Sequence, residues 1–215
     1  MERTGKPNLQ WSHNFAYAIG LLATDGSLSK DGRHIDFTSK DKIQVENFLK
    51  ALGANTKIGT KKSGSGNISY RAQLGNKQLY NFLVNIGLTP RKSKTIGAIK
   101  IPELYLNDFI RGHFDGDGTF YFYWDARWKK SFMCYLELTS ASESHLQWLQ
   151  SEISRSFLVL GRITKSLNNS CYRLKFAKYE SIQLLKNLYS NKKAISLRRK
   201  HLKFIQALGI INKQN

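Results

Sequence analysis

Two segments of the chain end an apolar, helix-like run on an Asp-Gly pair, Asp25-Gly26 and Asp117-Gly118. A helix C-terminus carries partial negative charge, so it is an unfavourable place for a carboxylate. Two carboxylates held close together also repel each other. Mg²⁺ relieves both effects, because it prefers carboxylate, water and phosphate oxygens as ligands. If the two segments meet, the sequence predicts a metal site with Asp25 and Asp117 as ligands.

The two segments open a longer internal repeat. Aligned on Asp-Gly, "AIGLLATDG" (18–26) lies over "IRGHFDGDG" (110–118). The match continues through a Thr-Ser pair and a Tyr-Arg pair in each half, with a helical segment after each. Each half therefore predicts helix, two strands, helix, two strands, helix. We expect an α+β protein made of two pseudo-symmetric αββαββα repeats with antiparallel sheets, residues 12–100 and 101–210.

Small residues on the two motif helices predict how the repeats meet. Gly20 and Thr24 are four residues apart and share a helix face, as do Gly112 and Gly116. Side chains this small let two helix backbones approach closely. Gly20 should then face Gly112 across a pseudo-two-fold axis, which brings the acidic helix ends together. The backbone carbonyls of Thr24 and Gly116 become further candidate metal ligands.

The charge of the chain indicates its partner. There are 34 Lys and Arg residues against 15 Asp and Glu, a formal net charge of +19. An excess of this size favours nucleic acid or an anionic membrane surface. The basic residues are scattered through strand-like segments among polar and aromatic residues, which favours a folded nucleic-acid surface. No apolar run approaches the ~20 residues that span a bilayer. Two cysteines argue against a disulfide framework, so we expect the reducing interior of a cell.

The two Asp-Gly segments, residues 18–26 and 110–118, resemble the LAGLIDADG motifs of homing endonucleases, in the single-chain form with two repeats. The resemblance covers about residues 12 to 210, and two motif copies with parallel downstream segments make it specific. It implies a saddle over double-stranded DNA and a monomer with internal pseudo-two-fold symmetry. The acid that binds metal in the family corresponds to Asp25 and Asp117. The preceding acid is Asp115 in the second copy but Ala23 in the first, and we assign Asp115 no catalytic role.

The resemblance implies a site-specific endonuclease that hydrolyses one phosphodiester in each DNA strand with Mg²⁺, for which Mn²⁺ or Ca²⁺ can substitute in the site. It also implies a basic residue near each scissile phosphate, for which Lys92 and Lys200 are the candidates. They either stabilise charge and order water, or make ordinary phosphate contacts. A polar residue that orders water near the metal corresponds approximately to Ser39 and Ser140. We favour an enzyme that is intron-encoded or free-standing.

Side chains on the concave sheet faces should contact the DNA, because a two-stranded β-ribbon fits the major groove. About half or more of such contacts go to the backbone. The aromatic residues near position 123 fit either the core or the groove. The candidates in the first repeat are Arg33, Lys40, Lys57, Lys61, Arg71 and Gln73, with Ser39; those in the second are Tyr123, Arg127, Lys129, Arg162, Lys165, Arg173 and Lys175, with Ser140.

Three other functions fit parts of the sequence. An RNA-binding intron maturase without nuclease activity would share the fold. RNA binding does not require the two acids, so the presence of both favours cleavage. A transcription regulator that has lost the chemistry would normally carry an additional helix-turn-helix module, for which the two repeats leave no room. A membrane-surface protein would collect its basic residues on one amphipathic helix rather than on strands.

Overall fold

The computed structural model describes residues 7–62, 66–128, 131–166 and 171–213. The first repeat contains helix α1 (His13–Asp25), strands β1 (Gly26–Leu28) and β2 (His34–Ser39), and helix α2 (Lys42–Leu52). Strands β3 (Gly59–Lys62) and β4 (Ile68–Gly75), helix α3 (Lys77–Ile86) and a 3₁₀ turn, Lys92–Lys94, complete it.

The second repeat follows the same order after a 3₁₀ turn at Glu103–Tyr105. It contains helix α4 (Leu106–Asp117), strands β5 (Thr119–Trp124) and β6 (Phe132–Ser140), helix α5 (Glu143–Phe157), strands β7 (Arg162–Lys165) and β8 (Tyr172–Phe176), and helix α6 (Lys178–Leu188). Helix α7 (Arg198–Asn212) is added at the end. The predicted α+β fold with two αββαββα units is confirmed, and helix α7 lies beyond the predicted elements.

Each repeat forms an antiparallel four-stranded sheet in the described part of the chain, with orders β1-β2-β4-β3 and β5-β6-β8-β7. Burial alternates along the central strands, so that Ile35 and Phe37 of β2 and Leu136 and Leu138 of β6 face the helices. This period of two is what a sheet covered on one face requires. The opposite face of each sheet, which we call the outer face, carries mainly polar residues, joined in the second sheet by Tyr121, Tyr123 and Tyr135.

Side-chain caps set where the helices of the first repeat begin. Ser12 accepts a hydrogen bond from the backbone of Phe15 at the start of α1, Asp41 caps α2 and Asn76 caps α3. Short polar side chains at these positions satisfy backbone N–H groups that have no partner within the helix. The caps therefore determine where α1, α2 and α3 begin.

No described helix has the length and apolar character that crossing a membrane demands.

Candidate functional site

Helices α1 and α4 pack against each other through their glycines. A Cβ atom added to Gly20 would clash with the backbone oxygen of Phe109, and one added to Gly112 would clash with that of Tyr17 and lie 3.2 Å from the Cα of Gly20. One added to Gly116 would clash with the hydroxyl of Thr24. The two helix backbones are thus in direct contact along the face that the sequence analysis singled out.

This packing brings the two motif acids together at the C-terminal ends of the helices. Asp25 is half-buried, and loss of solvent followed by the charge of Asp117 raises its pKa to about 6. Asp117 is more exposed, yet its pKa is also raised, by desolvation, with Lys200 and Lys92 opposing. A raised carboxyl pKa means that the ionised form is destabilised. A bound cation would stabilise both carboxylates.

Two buried lysines stand beside the acids. Lys92 is 5% exposed and Lys200 is 9% exposed, and burial lowers the pKa of each to about 8 although Asp25 and Asp117 raise it. The charges of both ammonium groups lower the pKa of both acids, so the four charged groups lie in one site. A lysine that only contacts a DNA phosphate would be exposed, so the burial of this pair favours a role in charge stabilisation at the site.

The lysines are held by the carbonyl groups at the helix ends. The Nζ of Lys92 donates to Gly26 O at 2.6 Å and approaches Thr24 O at 3.4 Å. The ammonium therefore neutralises part of the negative helix end.

Lys200, in the first turn of α7, contacts four backbone carbonyls, twice as many as Lys92. Its Nζ lies 2.6 Å from Phe114 O, 2.9 Å from Asp115 O, 3.2 Å from Gly116 O and 2.6 Å from Gly118 O. The carbonyls of Thr24 and Gly116, the further candidate metal ligands, thus each have a lysine neighbour, and their metal-binding role stays a prediction.

Gln44 of α2 links the first repeat to the motif of the second. Its Nε2 donates to Asp115 O at 2.8 Å, and its Oε1 accepts from the hydroxyl of Ser39 at 2.8 Å. The Ser39 hydroxyl also accepts from Asp41 N at 3.1 Å, and the hydroxyl of Ser140 accepts from Ser142 N at 3.1 Å. Both serines thus support the starts of α2 and α5. Their proposed role in ordering water stays a prediction.

Asp115 serves the packing of α4. Its carboxylate is fully buried and accepts hydrogen bonds from the Tyr17 hydroxyl at 2.8 Å and Leu197 N at 2.6 Å. Burial raises its pKa, which those two bonds oppose. A side chain enclosed in this way is not available to a metal at the surface. This geometry agrees with the absence of a catalytic role for Asp115.

The donor set fits a metal that takes part of its coordination from substrate and water. The described residues contain no cluster of three or more His, Cys, Asp or Glu side chains that could hold an ion by itself. Two carboxylates with raised pKa values and nearby backbone oxygens are hard ligands of the kind that Mg²⁺ takes, and Mg²⁺ often completes its shell with water and phosphate oxygens. The site suits Mg²⁺ bound together with a phosphodiester.

The outer faces of the sheets begin next to the acids. Ser27 and Thr119, each two residues beyond its acid, are exposed and lie opposite Asp36 and Glu137 on the neighbouring strands. Cross-strand partners point to the same side of a sheet. Each outer face therefore extends from its motif acid along its own repeat.

Several of the candidate DNA contacts share these faces. Register places two of them, Lys175 and Arg162, directly opposite each other. Arg71 is paired with Asp36 at 2.7 Å, and the ammonium of Lys165 lies over the ring of Tyr172. The outer-face set is Lys61, Arg71, Gln73, Tyr123, Arg162, Arg173 and Lys175.

The remaining DNA-contact candidates lie elsewhere. Arg33, Lys40, Lys57 and Arg127 are exposed in loops that flank the strands. Register assigns Lys165 to the opposite face of its strand, at the strand end. Lys129 lies outside the described residues, as do 63–65 and 167–169, which cover part of one predicted hairpin tip and all of the other.

Sequence reasoning missed two buried residues that support the site. Gln44 sits in an amphipathic helix, and nothing in its local sequence indicates that it reaches the other repeat. Arg111 is 1% exposed and donates to Ile195 O, to Leu188 O and to Asp108. An arginine inside an otherwise apolar motif helix was the signal that could have identified such a buried anchor.

Comparison with known proteins gives a family match over the first repeat. Residues 12–87 match the LAGLIDADG-like domain. None of the curated protein sequences matches the chain significantly.

Solved structures match over most of the chain. The LAGLIDADG homing endonuclease I-GzeII in complex with a DNA target has a TM-score of 0.63 and 15% identity, covering 94% of this chain and 92% of its own. I-DmoI in complex with DNA and Ca has a TM-score of 0.56 and 16% identity, with 83% and 90% covered, and has also been crystallised with DNA and Mn.

The same fold occurs in full-length DUF199/WhiA from Thermatoga maritima, with a TM-score of 0.56, 16% identity, and 94% of this chain and 69% of that chain covered. Identities this low show the fold and not the activity. The chain thus matches the LAGLIDADG-like domain over residues 12–87 and has, over most of its length, the two-repeat fold seen in single-chain LAGLIDADG homing endonucleases.

Proposed function

We propose that the protein is a site-specific double-strand DNA endonuclease that hydrolyses one phosphodiester per strand with Mg²⁺, acting on genomic or organellar DNA inside the cell. The observation that carries the proposal is the pairing of Asp25 and Asp117, with two buried lysines, at the point where both outer sheet faces begin. The fold alone does not carry the proposal, because the fold occurs both in homing endonucleases and in WhiA, which is not described as an endonuclease.

The two acids would hold the metal, and the chain itself would supply position and charge. Bound Mg²⁺ polarises phosphoryl oxygens and lowers the pKa of water. Asp25 would serve one DNA strand and Asp117 the other, because each ends the first helix of its own repeat. Lys92 and Lys200 keep positive charge within reach of the phosphate without leaving the helix-end carbonyls.

Nuclease activity is tested by neutral, similarly sized replacements of the acids. Asp25→Asn and Asp117→Asn should each abolish Mg²⁺-dependent double-strand cleavage of a target selected from a randomised DNA library, while specific binding is kept. Glu46→Gln, which removes an exposed acid of α2 away from both outer faces, is the matched control, and it should still cut. Cleavage retained by Asp117→Asn would place the chemistry elsewhere.

Binding to duplex DNA is tested separately by salt titration. If ~6–10 phosphates are contacted, the logarithm of affinity should fall against that of salt concentration with a slope of about −5 to −10. A flat titration would argue against the sheets as a DNA surface. Salt-dependent binding with no cleavage under any divalent cation would instead favour a binding protein, and preference for structured RNA in that assay would favour the maturase alternative.

A further inference from the structure

The outer faces of the two sheets differ at matching positions. In the first sheet, Ser29 and His34 are neighbours across β1 and β2, with Ser29 N donating to His34 O at 2.9 Å. The corresponding pair in the second sheet is Tyr121 and Tyr135, which are partners in the β5–β6 register. Tyr123 extends this face toward the end of β5. A polar pair in one repeat is thus replaced by an aromatic cluster in the other.

The three tyrosine rings form a continuous surface. The ring centroids of Tyr121 and Tyr123 are 6.5 Å apart with planes inclined by 8°, and Tyr135 lies 5.5 Å from the first and 6.2 Å from the second. Tyr123 is 46% exposed. Large aromatic side chains are normally turned toward a core when one is available. A cluster of them on the solvent side indicates a surface that contacts a partner.

The polar groups around these rings already have partners. The Tyr121 hydroxyl donates to Glu137 at 2.9 Å and accepts from the Nζ of Lys175 at 2.8 Å. The same ammonium lies 4.0 Å from the centroid of the Tyr135 ring and 3.5 Å from the Glu137 carboxylate. What the cluster offers a partner is therefore mainly the apolar faces and edges of its rings.

The surroundings of the cluster are basic. Arg162 and Arg173 are exposed on the same outer face, opposite Lys175 and Thr139. An apolar cluster within a positive surface is complementary to a polyanion that also presents apolar groups. In the major groove of duplex DNA, the apolar group available to a protein is the thymine 5-methyl, since the base faces are stacked.

We propose that the second sheet recognises its half of the DNA target by packing the rings of Tyr121, Tyr123 and Tyr135 against thymine 5-methyl groups, whereas the first sheet recognises its half through hydrogen bonds. This inference rests on the proposed binding of duplex DNA. It predicts a target whose two halves differ in chemistry, with thymines required in one half.

The test replaces thymine by deoxyuridine, which removes only the methyl group. A duplex is selected from a randomised library for binding rather than for cleavage, so that a failure of the nuclease proposal does not affect the outcome. Each thymine is then substituted in turn and the affinity measured with Ca²⁺ present. We expect losses of roughly fourfold for each contacted methyl, the change that burying one such group produces. The sensitive positions should cluster in one half-site.

Variants of the protein link that effect to the rings. Tyr123→Ser should weaken binding to the thymine duplex and remove the deoxyuridine effect at its position, whereas Tyr123→Phe should keep both. His34→Ala, the matched change on the first sheet, should leave the pattern of sensitive thymines unchanged.

Three results would overturn the inference. Equal affinity for the thymine and deoxyuridine duplexes would show that no methyl group is contacted. An undiminished deoxyuridine effect in Tyr123→Ser and in the corresponding variants of Tyr121 and Tyr135 would show that the rings are not responsible. Loss of binding to single-stranded oligonucleotides but not to the duplex in Tyr123→Ser would assign the rings to stacking on unpaired bases.

Discussion

The two motif helices end in the same Asp-Gly pair, but the lysines beside them are held differently. Lys92 belongs to a 3₁₀ turn of three residues and contacts two carbonyls, whereas Lys200 lies in the first turn of a 15-residue helix and contacts four. Gln44 adds a hydrogen bond to the second motif from the other repeat. Similar geometry at the acids is therefore maintained by unequal support, and the second motif should be the more rigid one.

The contact between the helices should produce the largest effects, because both repeats depend on it. Gly20→Ala and Gly112→Ala place a Cβ against backbone atoms that cannot move aside, and each should cost more than about 4 kcal/mol of unfolding free energy. Gly116→Ala should cost less, since the Thr24 side chain can rotate. Urea denaturation measures all three.

Gly209→Ala is the control for these variants. A Cβ at Gly209 meets no atom within 4 Å, and the residue lies inside α7. Alanine there should be neutral or stabilise the protein by up to about 1 kcal/mol. Equal tolerance of alanine at Gly20 and Gly209 would contradict the close approach of the two helices.

The lysines test the inequality between the repeats directly. Lys200→Met removes the partner of four carbonyls and should destabilise the protein by about 3–5 kcal/mol, whereas Lys92→Met should cost about 1–3 kcal/mol, because a buried carbonyl left without a partner is penalised. Thermal or urea unfolding gives the difference. Lys203→Met, on the exposed face of α7, is the control and should change little. Equal losses at positions 92 and 200 would mean that the carbonyl contacts do not set the stability of the motif ends.

Asp25 should lower stability in the absence of metal. Its pKa in the folded protein is about 6, above the ~3.9 of a free aspartate, so folding favours the protonated carboxyl. The stability that this preference contributes is complete below a pH of ~4 and is lost as the pH rises through about 6. In EDTA near neutral pH, Asp25→Asn should therefore be more stable than the native protein, by about 2 kcal/mol.

The pH profile provides the control for that variant. Below a pH of ~4 both side chains are neutral, so the native protein and Asp25→Asn should unfold at the same temperature. Added Mg²⁺ should stabilise the native protein more than the variant, because only a folded site binds the ion. A variant that is less stable than the native protein in EDTA at neutral pH would be inconsistent with a carboxylate destabilised by desolvation and by the charge of Asp117.

Gln44→Ala should have the smallest effect. It removes the hydrogen bond to Asp115 O, which keeps its contact with Lys200, and the one from the Ser39 hydroxyl, so the loss should be about 1–2 kcal/mol. Gln147→Ala on the exposed face of α5 is the matched control and should be neutral. A cost at Gln44 as large as that at Lys200 would show that the link between the repeats contributes more to the second motif than the lysine does.

The repeated framework was predictable from sequence because it depends on local signals. Glycine spacing indicated a helix contact, and the alternation of apolar residues indicated strands with one buried face. Helix α7 and the reach of Gln44 were not predictable. α7 is basic at its start and buries only Lys200, Phe204 and Ala207, so its sequence has no strong apolar stripe. Gln44 acts across the repeat boundary, which no local pattern records.

The outer faces were only partly predictable for a related reason. Alternation assigned Arg71 and Lys175 to a sheet face, but not the acids that hold them, Asp36 and Glu137. The rings near position 123 fitted either side of the sheet until the strand register placed Tyr123 outward. Register is a property of two strands together, so one strand's sequence does not determine it.

The meeting of α1 and α4 through main-chain atoms bears on how such proteins diverge. A contact made by peptide groups is the same whichever amino acids surround it, provided that the few positions without side chains persist. Mutations elsewhere along either helix then alter the periphery of the junction and leave its centre in place. Such tolerance allows the same architecture to occur in this chain and in solved structures with which it has only 14–18% sequence identity.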